Sequence, residues 1–116
     1  MAVKTPTIEL IGERTIRVTW TGLALNDTGA PIDYPVYIDR SVQVKGTFGT
    51  GGAVTIEGSN DDATFNSLSD PRGNALTVNT AKLEQVEDVS KSIRPNVTAG
   101  DGTTNLTVVL FARKVF

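Results

Sequence analysis

The chain has 116 residues, of which 11 are Lys or Arg and 13 are Asp or Glu, giving a formal net charge of −2, and it contains neither Cys nor His. That length suits one domain able to hold a core without disulfides or metal. The missing Cys and His exclude thiol nucleophiles, Cys/His zinc sites and Ser-His-Asp chemistry, and the charge balance argues against nucleic acid as a partner.

The N-terminal residues Met1 to Pro6 lack the charged and apolar regions of a secretory signal and read as an arm ahead of a single domain over residues 7–116. The longest nearly apolar run, Val108 to Ala112, is far shorter than the roughly 20 residues of a membrane helix, so no membrane partner is expected. Thr and Val make up about a quarter of the chain and alternate with other residues in short runs, which predicts an all-β protein. Thr7 to Ile11 reads as a first strand turning at Gly12. Glu13 to Trp20 follows, with Ile16, Val18 and Trp20 on one face and Thr19 on the other.

The stretch from Thr21 to Tyr37 is the one long irregular segment and is rich in apolar and aromatic side chains. A loop of that kind either folds over the end of the sandwich or docks on a partner. Leu23, Leu25, Pro31, Ile32, Tyr34, Pro35 and Tyr37 are therefore candidate interface residues. Alternation resumes over Arg40 to Phe48, with Val42, Val44 and Phe48 inward. Gly49 to Gly52 reads as a hairpin turn into Ala53 to Gly58. A turn at Ser59 to Asp62 leads to a short strand from Thr64 to Leu68. The Asp70-Pro71-Arg72-Gly73-Asn74 turn leads to Ala75 to Val78.

Residues 82–89 fit either a short helix or an edge strand. Ser92 to Val97 contains Pro95, which predicts an edge or bulged strand. Thr104 to Arg113 closes the chain with Leu106, Val108, Leu110 and Ala112 on one face. Val109 and Phe111 lie on the other and join the candidate interface, or lie under a covering segment. Arg113 and Lys114 read as charge gatekeepers against edge aggregation. Seven to nine short strands at turn spacing predict an antiparallel, jelly-roll-like β-sandwich.

Turn acids at Asp61, Asp62, Asp70 and Asp101 match no calcium-loop spacing and are explained by turn chemistry, so no metal or cofactor is expected. Glu57, Glu84 and Glu87 are the available carboxylates for a small hydrolase, at positions expected to face solvent, and an enzyme is not expected.

The run Gly58-Ser59-Asn60-Asp61-Asp62-Ala63-Thr64-Phe65-Asn66-Ser67-Leu68, followed by Ile93-Arg94-Pro95, resembles a strand-turn-strand of discoidin-like jelly rolls, with Phe65 at a position that is typically Trp. A broader resemblance, from about Pro35 to Arg113, is to small virion proteins of tailed bacteriophages. It is carried by Tyr37 to Phe48, the turn at 58–61, Asp70 to Leu76, Ile93 to Pro95 and Gly100 to Val108. This resemblance implies a head decoration or cement protein made in the host cytoplasm. Such a protein would act as a homo-oligomer, dimer or trimer, clamping the major capsid protein on the outer surface of the head. The discoidin-like turn motivates the alternative, a carbohydrate-binding module of a phage tail or fibre.

Overall fold

In the computed structural model, which describes residues 1–115, two β-sheets stack face to face. The strands are β1 (Val3–Lys4), β2 (Thr7–Gly12), β3 (Thr15–Leu23), β4 (Thr28–Gly29), β5 (Asp39–Thr47), β6 (Ala53–Ser59), β7 (Asn66–Ser67), β8 (Thr77–Val78), β9 (Lys82–Val86), β10 (Ser92–Ala99) and β11 (Asn105–Arg113). One sheet has the order β1-β4-β10-β6-β7, with β8 also on β6. The other has the order β2-β3-β11-β5-β9. Every pairing is antiparallel except that of β1 with β4. The predicted all-β sandwich is thus the observed class.

Alternation explains the core directly. Ile16, Val18 and Trp20 on β3 lie side by side with Leu106, Val108, Leu110 and Ala112 on β11 and Val42 and Val44 on β5, on one face of their sheet, and all are buried. The opposite sheet answers with Val54 and Ile56 on β6 and Ile93 and Val97 on β10. Each such side chain contributes roughly 1.5–3 kcal/mol by leaving water. Residues 82–86 of the ambiguous segment form a strand, because Val86, Glu84 and Lys82 pair with Arg40, Val42 and Val44 along the free edge of β5.

Two local expectations are corrected. The glycine-rich segment after β5 is not a hairpin turn, since β5 and β6 lie in different sheets and the chain crosses between them there. The return crossing, from β10 to β11, runs alongside. Thr50 N–H donates to Asp101 Oδ2 (2.9 Å) and Thr104 Oγ1 donates to the Phe48 carbonyl (2.8 Å), fastening the two crossings together. Hydrogen bonds from Thr103 and Thr50 hold the Asp101 carboxyl far below its ordinary pKa. Gly49, at φ 74°, permits this approach, because a Cβ there would lie 2.3 Å from Asp101 Oδ1.

Pro95 is not on an edge strand. It lies within β10, between β4 and β6. Ile93 and Val97 direct their N–H groups to Ile32 and Asp27, so by strand alternation position 95 faces the same side. There the ladder is already broken between the two-residue β4 and the isolated bridge at Ile32, and the ring abuts Gly29 instead. The predicted bulge exists two residues later, between Val97 and Ala99.

Candidate interaction surface

Part of the irregular stretch 21–37 lines the core and part of it stays at the surface. Leu23 ends β3 and is wholly buried, Ile32 exchanges backbone hydrogen bonds with Ile93, and Tyr37 is buried with the core. These three candidate interface residues are therefore corrected to core residues. They face inward because Thr28–Gly29 and Ile32 add an edge to the first sheet and carry the segment across the sandwich. Gly29 makes that approach possible: a Cβ there would lie 2.5 Å from the Trp20 indole, whose Nε1 donates to the Ala30 carbonyl (3.0 Å).

The remaining candidates divide. Leu25 and Tyr34 are half-buried, Pro31 and Pro35 are exposed. Tyr34 packs on the core with its ring edge-to-face against Tyr37, centroids 6.0 Å apart. Its carbonyl accepts from Arg40 Nη2 (3.1 Å), while Arg40 Nε donates to the Tyr37 carbonyl (2.7 Å). The buried guanidinium thus fastens the 34–37 turn. Among the described residues Arg40 has no carboxylate partner and its Nη1 has no hydrogen bond, and burial pushes its pKa below the ordinary value. What the turn offers to solvent is Val36 and Ile38, roughly half exposed. On the outer face of the second sheet, Val109 lies half-buried between Thr19 and Gln43, and Phe111, between Arg17 and Ser41, is 42% exposed.

Met1 to Pro6, read as an arm, is bound to its own chain. Val3 and Lys4 pair with Thr28 and Gly29, and Ala2 N–H donates to Asp27 Oδ1 (2.9 Å). The other oxygen of this buried carboxylate accepts from Ala24 N–H (2.9 Å), so Asp27 joins the N-terminus to the 24–27 turn. Anchored backbone does not mean covered side chains. Met1, Val3, Ile8, Leu10 and Ile11 are five of the eleven exposed large hydrophobics among the described residues, and they cluster in the first eleven positions. All six residues of β2 are exposed. Ile8 and Leu10 stand opposite Val18 and Ile16, hence on the core-facing side, yet they are 42% and 77% exposed.

A second feature is a polar cleft of about 440 Å³ beside the Ser59–Asp62 turn, lined by residues that include Asn60, Asp61, Asn66, Asp88 and Val89. Its carboxylates are largely committed to building turns. Asp61 Oδ1 accepts from Ala63 N–H, Thr64 N–H and Ser59 Oγ, which holds its pKa down to about 2. Asp88 accepts from Ser69 N–H (2.7 Å). Phe65, the aromatic of the discoidin-like turn, does not line the cleft and lies under the Arg94 guanidinium, 3.9 Å from its carbon. Glu57 and Glu84 lie in different sheets. Glu57 pairs with Arg94 (3.0 Å), and Glu84 lies within 4 Å of both Arg72 and Lys82. Among the described residues no group of three or more acidic side chains converges as metal ligands would.

No protein-family model matches the chain, and no curated protein sequence matches it significantly. Solved structures do. The SPBc2 prophage-derived protein YomS superposes with a TM-score of 0.64 at 10% identity, covering 90% of this chain and 98% of YomS. The two share a fold. Looser matches are protein NMB1881 from Neisseria meningitidis (TM-score 0.45, 15% identity, covering 94% of this chain and 82% of that one) and KdgF from a Halomonas species (0.48, 14%, 94% and 77%).

Two features stand outside the candidates that the sequence supplied. Arg40 shares the parity of Val42 and Val44, and that parity alone placed it inward. The bare side of the sandwich was signalled by Ile8, Leu10 and Ile11 in a strand whose only charge is Glu9.

Proposed function

We propose that this chain is a structural protein of a tailed-phage virion, a decoration or cement protein that binds the outer capsid lattice and stabilises the head. The observation that carries the reading is the fold it shares, over nine-tenths of its length, with a prophage-derived protein. The virion-protein turn motifs between Pro35 and Arg113 support it. A cement protein works by mass action: it binds the assembled shell and not the free subunits, so its binding energy becomes shell stability. Many weak contacts on one lattice then sum through avidity.

The contact to the major capsid protein is assigned to the turn after Tyr34. Val36 and Ile38 present apolar surface there, on backbone held in place by Arg40. Cryo-electron microscopy of the particle tests the assignment. Density for this chain on the outer shell supports it, and a tail location or absence from the virion refutes it. Val36→Asp is expected to lower retention on heads while the isolated domain stays folded, because Val36 is 54% exposed.

A second reading, a carbohydrate-binding module of a tail or fibre, draws on the polar cleft at Asn60, Asp61 and Asn66. Glycan-array binding that is lost in Asn66→Ala would favour it over the capsid reading.

A further inference from the structure

The two edges of the five-stranded sheet are built differently. β9 carries Lys82 and Glu84 in one ion-pair cluster with Arg72, the kind of charge that discourages pairing at an open edge. β2 has no Lys, and its sequence Thr7-Ile8-Glu9-Leu10-Ile11-Gly12 contains no Pro. Its single charge points to the outer face, where Glu9 accepts from Arg17 Nε (3.0 Å) and Nη2 (3.2 Å). The free backbone groups along such an edge are a template for another strand.

We infer that β2 pairs antiparallel with β2 of a second copy of this chain about a two-fold axis, joining two five-stranded sheets into one of ten. Three observations select a copy of itself as the occupant. First, in an antiparallel pair opposed residues lie on the same face, and with Glu9 at the axis Ile8 of each chain stands opposite Leu10 of the other. The two uncovered apolar pairs then form one continuous strip on the core-facing side. Second, each Glu9 arrives already bonded to its own Arg17, so the two carboxylates that meet at the axis, in a row of four charges, are each offset by a guanidinium. Third, Val3 on the short edge strand β1 of the opposite sheet and Met1 next to it are exposed as well, so the N-terminal part of the chain carries further uncovered apolar surface. An isologous contact of this kind closes at two chains. It stands independently of the capsid reading.

Sedimentation equilibrium of the purified chain across micromolar to near-millimolar concentrations is the test. The wild type is expected to dimerise, Leu10→Lys to dimerise at least about tenfold more weakly, and Leu83→Lys, on the guarded edge, to match wild type. Leu10 is 77% exposed, so circular dichroism of Leu10→Lys should be unchanged. Because the chain has no Cys, cross-linking gives a second arm that does not depend on that variant. A mixture of Ile8→Cys and Leu10→Cys chains should yield the disulfide-linked heterodimer in preference to either homodimer, and Leu83→Cys should not cross-link. A wild-type monomer at every concentration overturns the inference, even if the chain is found on capsids. So does a dimer broken by Leu83→Lys but not by Leu10→Lys, or cross-linking without the 8-to-10 preference.

Discussion

Residues 21–37 and residues 1–12 are both rich in apolar side chains, and the fold treats them in opposite ways. Leu23, Ile32 and Tyr37 are buried, while Met1, Val3, Leu10 and Ile11 stay in water. The irregular segment is drawn inward by long-range pairing, Ile32 with Ile93 and Thr28 with Asn96. The N-terminal segment is paired just as firmly through its backbone, but β1 and β2 are the outermost strands of their sheets, and nothing among the described residues lies over their apolar side chains. Backbone order and side-chain burial are separate properties, and a surface for association needs the first without the second.

Substitutions in the two segments test that contrast. The largest effect is expected from Ile32→Asp, which places a carboxylate at a site 5% exposed; a loss of about 4 kcal/mol or more, read by urea denaturation, would leave little folded protein. Tyr34→Ala should cost about 1–3 kcal/mol through lost burial and the edge-to-face contact with Tyr37. If this variant were instead as stable as wild type, the 34–37 turn would be a surface feature, as the sequence first suggested. Asp27→Ala removes acceptors from Ala2 and Ala24 and should cost about 1–2 kcal/mol. It should also release the first residues to proteolysis before the rest of the domain. Leu10→Lys should change monomer stability by no more than about 0.5 kcal/mol. A larger loss would mean that β2 is covered within its own chain.

The strands with clean alternation were legible in the sequence. Ile16-Val18-Trp20 and Leu106-Val108-Leu110-Ala112 fixed two neighbouring central strands, and the inward faces of β5 and β6 followed from the same period. β1 and β4 were not legible, because a two-residue strand has no period and exists only through its partner. Alternation also tells which face a residue takes, not whether a second sheet covers that face. That is why Ile8 and Leu10 share the parity of a buried strand while remaining exposed. Leu23, Ile32 and Tyr37 failed as surface candidates for the converse reason: loop-like local sequence says nothing of a bridge to a residue about sixty positions away.

Amide hydrogen exchange of the wild-type chain, followed by mass spectrometry at high dilution and again at high concentration, tests the contrast most directly. The peptide covering Leu23 to Tyr37 should be protected equally at both concentrations, and the peptide covering Thr7 to Gly12, part of whose amides are already bonded to β3, should gain further protection when concentrated. Protection of residues 7–12 that is indifferent to concentration, or rapid exchange of the 23–37 peptide in the dilute sample, would contradict the account.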